Sequence, residues 1–174
     1  MLNLVNKAQK GNDNAFLTLF QKYENDIYRV AFVYVKNQND ALDVVQETAY
    51  QSFKSIKNLK EPKYFKTWLI RIAINCALDL LRKQKNILPL NSEFENFIAG
   101  DFNEDIFEEI TLNELIECLN EDEKSVIILR FYDDLTIKEV SKTLEIPLGT
   151  TKTILYRALN KLRKNLEGDH IYEQ

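Results

Sequence analysis

Apolar positions recur along this chain with a period near 3.6 residues, almost from end to end, and that rhythm predicts helices. Leu2 to Lys10 is expected to form a short one, stopped by Gly11. Phe16, Leu19, Phe20, Tyr23, Ile27, Val30, Ala31 and Tyr34 then mark a long helix that restarts at Asn12 or Asp13 and ends near Asn37. A third runs from Asn39 or Asp40 to about Ile56. After a polar loop, Lys57 to Glu61, Pro62 suits a helix start, because a first helical turn leaves its N–H groups unpaired anyway, and the pattern continues to Lys85. Further helices are expected from Ile106 to about Asn120 and from Asp122 to Tyr132. No segment alternates with period two for long enough to propose a strand, so the fold class is all-α.

The stretch Thr136 to Arg163, TIKEVSKTLEIPLGTTKTILYRALNKLR, reads as two helices around a tight turn. Thr136 and Glu139 have the spacing of a capping box, which satisfies two orphan backbone N–H groups. The first helix packs through Ile137, Val140 and Leu144. The turn falls at Ile146 to Gly149, where Pro147 removes a donor and Gly149 is expected to permit a close backbone approach. On the second helix Leu155, Ala158, Leu159 and Leu162 form the stripe expected to be buried. The opposite face carries Thr150, Lys152, Thr153, Tyr156 and Arg157, and from Lys152 to Lys164 there are five Lys or Arg and no acid. This is the pattern of a helix-turn-helix whose second helix enters a major groove about 12 Å wide.

Charge redraws the picture more than composition does. The 174 residues are 45% hydrophobic, enough for a folded chain of one large or two small domains, and the net charge of -4 taken alone argues against nucleic acid. Its distribution argues otherwise. From Lys54 to Lys85 there are nine Lys or Arg against two acids, whereas from Asn86 to Glu123 there are twelve acids and no base. The segment from Asn86 to Asp105, with Pro89, Ser92 and Gly100 and weak periodicity, reads as an acidic flexible linker between a domain at 1–85 and one at 106–174. Extended, it could span roughly 65 Å, so the domains need not touch. No leader-like segment and no run of about 18 apolar residues is present, which implies a cytoplasmic protein without direct membrane insertion. Cys76, Cys118 and the single His170 lack metal-ligand spacing, so neither a metal nor another cofactor is expected, and the cysteines read as core thiols.

Two further constellations stand out. In KYFKTWLIRIAINCALDLLRKQK, Trp68, Arg71, Asn75, Asp79 and Arg82 fall at offsets 0, 3, 7, 11 and 14, one ridge along an otherwise apolar helix, with Tyr64 a turn earlier. An aromatic, an amide and guanidinium groups on one ridge suit a strand whose bases are splayed out. Core packing of Phe65 and Trp68, with Arg71 paired to a carboxylate such as Asp79, is the alternative. The loop Leu59 to Tyr64 could form a rim for a flipped base. On DALDVVQETAYQSF, Asp40, Asp43, Gln46 and Glu47 share a face while Leu42, Val45, Ala49 and Phe53 are expected to point inward; an acidic face suits a basic protein partner, or is merely solvated.

In order and spacing, DALDVVQETAYQSF, FKTWLIRIAINCALDLLRK, the acidic linker and IPLGTTKTILYRALNKLR resemble a bacterial sigma factor of the extracytoplasmic-function group, over about Phe16 to Leu166. The resemblance implies a non-enzymatic promoter-specificity subunit of RNA polymerase. Asp40, Asp43, Gln46 and Glu47 would dock on the clamp of the core enzyme. Leu59, Lys63, Tyr64, Thr67, Trp68, Arg71 and Asn75 would melt and read the -10 element of promoter DNA. The C-terminal domain would bind the flap and read the -35 element with Thr150, Lys152, Thr153, Tyr156 and Arg157. The linker would thread through the polymerase, and an anti-sigma factor would hold the free protein inactive. Two departures accompany it: Leu59 stands where the family usually has an aromatic, and Ile154 where an arginine is common, which should remove a phosphate contact. The competing readings are a stand-alone helix-turn-helix regulator and a helical protein adaptor; no catalytic constellation is visible.

Overall fold

The computed structural model describes residues 1–87 and 116–169, all of whose regular elements are helical. Most of the expected linker, the helix from Ile106 as far as Leu115, and His170 lie outside the described residues. Helix α1 spans Leu2–Gln9 and α2 Asp13–Val35. Asn12 caps α2, its side-chain oxygen accepting from the Ala15 N–H at 2.9 Å, and Lys36 ends it in the left-handed region at φ 59°. Helix α3, Gln38–Ser55, is capped by Asn37, and a short 3₁₀ turn, Ile56–Asn58, leads out of it. Pro62 opens a second 3₁₀ turn, Pro62–Tyr64, before α4 begins at Phe65 and runs to Ile87.

Helices α2, α3 and α4 pack mutually around Leu19, Ile27, Phe65, Leu69 and Ile70, all essentially without solvent exposure, with α1 laid on α2. Ala31, Ala41, Ala73 and Ala77 sit at the helix contacts, where small side chains allow close approach. Each large buried side chain contributes about 1.5–3 kcal/mol relative to exposure, so this core carries most of the N-terminal half.

In the C-terminal half, the described residues include α5, Glu121–Ile127, continued as a wider π turn over Ile128–Tyr132. A capping box opens α5, Asn120 and Glu123 exchanging side-chain-to-backbone hydrogen bonds at 2.9 and 3.0 Å. The expected Thr136–Glu139 box opens α6, Ile137–Leu144, and α7 spans Leu148–Asp169. The turn between them is made differently from expectation. Its left-handed residue is Glu145, at φ 58°, while Gly149 lies inside the first turn of α7 with nothing within 4 Å of where a Cβ would be. The buried stripe of α7 is also shifted: Thr151 and Ala158 are fully buried and Leu155 and Leu162 half-buried, but Leu159 faces solvent. Thr151 is accommodated because its hydroxyl donates to the Pro147 carbonyl at 3.0 Å.

The two halves touch. Val126, Ile128, Leu129, Leu135 and Val140 join the N-terminal core in one hydrophobic cluster, and the buried hydroxyls of Tyr34 and Ser125 lie 2.7 Å apart. Burial holds the Tyr34 phenol well above its ordinary value, so it stays protonated in this contact. Around this joint, four bases of the N-terminal half meet four acids of the C-terminal half: Lys36 with Glu117, Lys66 with Asp133, Arg71 with Glu145 and Lys85 with Glu121.

Candidate nucleic-acid and protein-docking surfaces

The ridge on α4 is present, but it is not bare. Phe65 is wholly buried and its ring lies 5.8 Å from that of Trp68, which is half-buried against the core, so the indole is shared between core and surface. Thr67 is half-buried and Asn75 exposed. Arg71 is paired at 2.8 Å, not with Asp79 but with Glu145 in the turn before α7; Asp79 pairs with Arg82 at 3.2 Å. Beside the ridge, Lys66 reaches Asp133 at 2.8 Å and Asp26 at 3.8 Å. Burial pulls the Lys66 ammonium down, but the hydrogen bond and charge of Asp133, with Asp26, outweigh it and leave its pKa raised.

The preceding loop divides by side chain. Lys60, Glu61, Lys63 and Tyr64 are exposed, and the Lys63 ammonium lies 4.8 Å from the centre of the Tyr64 ring. Leu59 points the other way, at 8% exposure. The rim expected over Leu59 to Tyr64 is therefore offered by Lys60 to Tyr64, and the Leu59 side chain anchors it from below. Where the family usually has an aromatic, a buried leucine stands in this chain.

The expected recognition face of α7 is open to solvent. Thr150, Lys152, Thr153, Tyr156 and Arg157 are all exposed, Tyr156 at 67%. The Thr153 hydroxyl donates to the Gly149 carbonyl at 3.0 Å, which restrains its rotamer. Ile154 is half-buried against the core, so an arginine there would lose its packing rather than simply gain a phosphate. Toward the far end of this helix Lys161 pairs at 2.7 Å with Glu123, whose side chain is almost fully buried. Burial pushes the Glu123 carboxyl up, but Lys161 and the Asn120 N–H outweigh it and hold it below the ordinary value.

On α3, Asp43, Gln46 and Glu47 are exposed, but Asp40 is a structural residue as well: it accepts from Asn37 at 2.6 Å and from Gln84 of α4 at 2.9 Å. Contrary to expectation, Leu42 and Phe53 face solvent at 44% and 49%, together with Tyr50; Val45 is buried and Ala49 half-buried. Leu42, Gln46 and Phe53, at offsets 0, 4 and 11, form an exposed row with the acids beside it. Exposed apolar side chains edged by charge suit a protein-docking face, and the sequence reading missed them by pointing Leu42 and Phe53 of α3 inward. Next to it, α3 and α4 enclose a groove of 510 Å³ lined in part by Asp43, Glu47, Asn75, Cys76 and Asp79. Cys76 and Cys118 are half-buried and form no disulfide, and burial pushes the Cys76 thiol up. Among the described residues there is no cluster able to hold a metal ion and no helix long and apolar enough to cross a membrane.

An exposed basic face on α7, a ridge of aromatic, amide and guanidinium groups on α4 and an acidic face with exposed apolar side chains on α3 thus stand on separate helices. Sequence comparison gives the class. Sigma-70 region 2 matches residues 19–87 and Sigma-70, region 4 matches residues 115–164. RNA polymerase sigma factor SigV of Bacillus subtilis (strain 168) is 38% identical over 165 residues, covering 95% of this chain and 99% of the relative. ECF RNA polymerase sigma factor SigW of the same organism is 30% identical over 176 residues, covering 93% and 94%. The chain belongs to the sigma-70 family of RNA polymerase sigma factors, in its extracytoplasmic-function group. The fold agrees: CnrH in complex with the cytosolic domain of CnrY superposes with a TM-score of 0.72 at 22% identity over 97% of both chains. The sigma factor RpoE in complex with the anti-sigma factor NepR from Bartonella quintana gives 0.66 at 18% identity, over 87% of this chain and 96% of that one.

Proposed function

We propose that this sigma factor reads promoters in two pieces from the cytoplasm. The unit at 1–85 melts and reads the -10 element with the Lys60–Tyr64 rim, Thr67, Trp68, Arg71 and Asn75. The unit at 106–174, reached through the linker at 86–105, reads the -35 element with Thr150, Lys152, Thr153, Tyr156 and Arg157. The exposed face of α3, with Asp43, Gln46 and Glu47, docks on the polymerase clamp. An anti-sigma factor covers these surfaces when the protein is idle, as the bound partners named for the two similar structures suggest.

The observation that carries this reading is the presence of two separate nucleic-acid-competent surfaces on different helices. A stand-alone regulator with a recognition helix has no use for the α4 ridge. Each good bidentate base contact is worth roughly 1–3 kcal/mol, so neither surface finds a promoter alone, and polymerase makes the second contact effectively intramolecular. Captured unpaired bases offset the unstacking cost of a few kcal/mol per base, so opening needs no nucleotide hydrolysis.

The test is transcription by the full chain with purified core polymerase, with start sites mapped. Arg157→Ala should weaken use of promoters that depend on the -35 element while core association persists; undiminished transcription would sink that assignment. Asp43→Lys with Glu47→Lys should abolish co-purification with core enzyme. Retention of the complex would leave the acidic face merely solvated.

A further inference from the structure

Gln9, the last residue of α1, makes the only side-chain hydrogen bonds described between that helix and the loop region near the -10 rim. Its amide nitrogen donates to the Ile56 carbonyl at 3.2 Å and to the Leu59 carbonyl at 2.7 Å, 47 and 50 residues away. One NH₂ group therefore spends both its protons on the turn by which the chain leaves α3 and enters the rim. The Ile56 carbonyl also accepts from the Leu59 N–H at 3.2 Å, so the amide closes the turn across both of its ends.

The donor is itself held firmly. Val5 and Ala8 bury α1 against the neighbouring helices, and Gly11 at φ 89° turns the chain so that the Asn12 N–H returns to the Lys7 carbonyl at 3.1 Å. Only glycine adopts that backbone without strain. From α1 a second path reaches the ridge: the Tyr23 hydroxyl meets the Met1 sulfur at 3.2 Å, and Tyr23, Phe65 and Trp68 follow with ring centres 6.0 and 5.8 Å apart. All of α1 precedes residue 19, where the match to region 2 begins.

We propose that Gln9 is a positioning residue for -10 reading: by clamping Ile56 and Leu59 it holds the Lys60–Tyr64 rim in one conformation for the unpaired strand. The inference rests on the assignment of that rim to the -10 element. A loop held only by its 3₁₀ turns and the buried Leu59 side chain would have more backbone freedom to lose when DNA arrives, and that ordering entropy would be charged against binding.

The test compares Gln9→Ala, Gln9→Glu and Gln9→Lys in the full chain with core polymerase, on a cognate promoter and on single-base variants of its -10 element. Gln9→Glu keeps the size but has no protons to donate, whereas lysine restores a donor. The alanine and glutamate variants should lose about tenfold in open-complex yield on the cognate element and discriminate less among variants. Gln9→Lys should recover most of that loss. Affinity for core enzyme and the response to -35 substitutions should match the unsubstituted protein, which a general loss of folding would not allow. Unchanged discrimination in the alanine and glutamate variants overturns the proposal, as does parallel loss of core affinity, or a lysine variant as impaired as alanine. Lys63→Ala and Tyr64→Ala separate the two layers of the argument. If they reduce -10 discrimination and the Gln9 variants do not, the positioning role alone falls; if they leave it untouched, the rim assignment falls and takes the positioning role with it.

Discussion

The two surfaces proposed to meet DNA are built on opposite plans. On α7 the reading residues stand outward on a helix anchored by Thr151, Ala158 and a Lys161–Glu123 pair on other faces, so in the free chain the face is already exposed. On α4 the ridge is partly engaged: Trp68 leans into the core, and Arg71 and Lys66 are held by Glu145 and Asp133 of the other half. A surface that enters an intact groove needs only rigid, exposed side chains. One that receives an unpaired strand can be occupied beforehand by carboxylates, which satisfy the same cations that phosphates would.

That contrast can be broken at the joint. Leu129→Ala, in the buried cluster shared by the halves, should cost about 2–5 kcal/mol and loosen the C-terminal half from α2 and α4; denaturant titration with hydrogen exchange at both halves measures it. Asp133→Asn should then raise the affinity of the free protein for single-stranded -10 DNA several-fold, because Asp133, at 2% exposure, is the best-buried acid at the ridge, while duplex -35 binding stays the same. Equal single-strand binding by the two proteins would show that the ridge is not screened. Glu145→Gln should do less, since a pair whose acid is 71% exposed is worth about 0–1 kcal/mol.

Acid and alkali should act on different regions. Glu123 has a lowered pKa, so its contribution is present above the ordinary carboxylate value and fades as pH falls through its folded value; the acid limb of a stability–pH profile should flatten in Glu123→Gln. Lys66 has a raised pKa, so its contribution is complete below the ordinary lysine value and disappears as pH rises through the folded one, and Lys66→Met should remove that alkaline step. The smallest effect is at Gly149. Gly149→Ala should stabilise by about 0.5–1 kcal/mol in a denaturant titration, since the residue is helical and a methyl group meets open space.

Helix positions and caps were legible in the sequence because they are local: the Thr136–Glu139 box, the restart at Asn12 and the ridge offsets each depend on residues within a few turns. The joint between halves was not, since Tyr34 and Ser125, or Lys66 and Asp133, lie far apart in the chain and charge blocks do not reveal which pairs form. Exposure of Leu42 and Phe53 escaped because periodicity identifies an apolar face without saying what covers it. The left-handed position at Glu145 carries no sequence signal, since the residue is neither glycine nor asparagine.

The Arg71–Glu145 pair has one more consequence. Glu145 sits in the turn before α7 and Arg71 on the α4 ridge, so if the ridge takes a DNA strand as proposed, the other half and that strand compete for one guanidinium. Affinity for the strand is then the intrinsic affinity multiplied by the fraction of molecules in which the pair is open. A pair worth at most about 1 kcal/mol is still open in roughly one molecule in six, so by itself it weakens strand binding by no more than about sixfold. Any surface that holds the halves apart raises that fraction without touching DNA, and so acts as a gain control on the ridge.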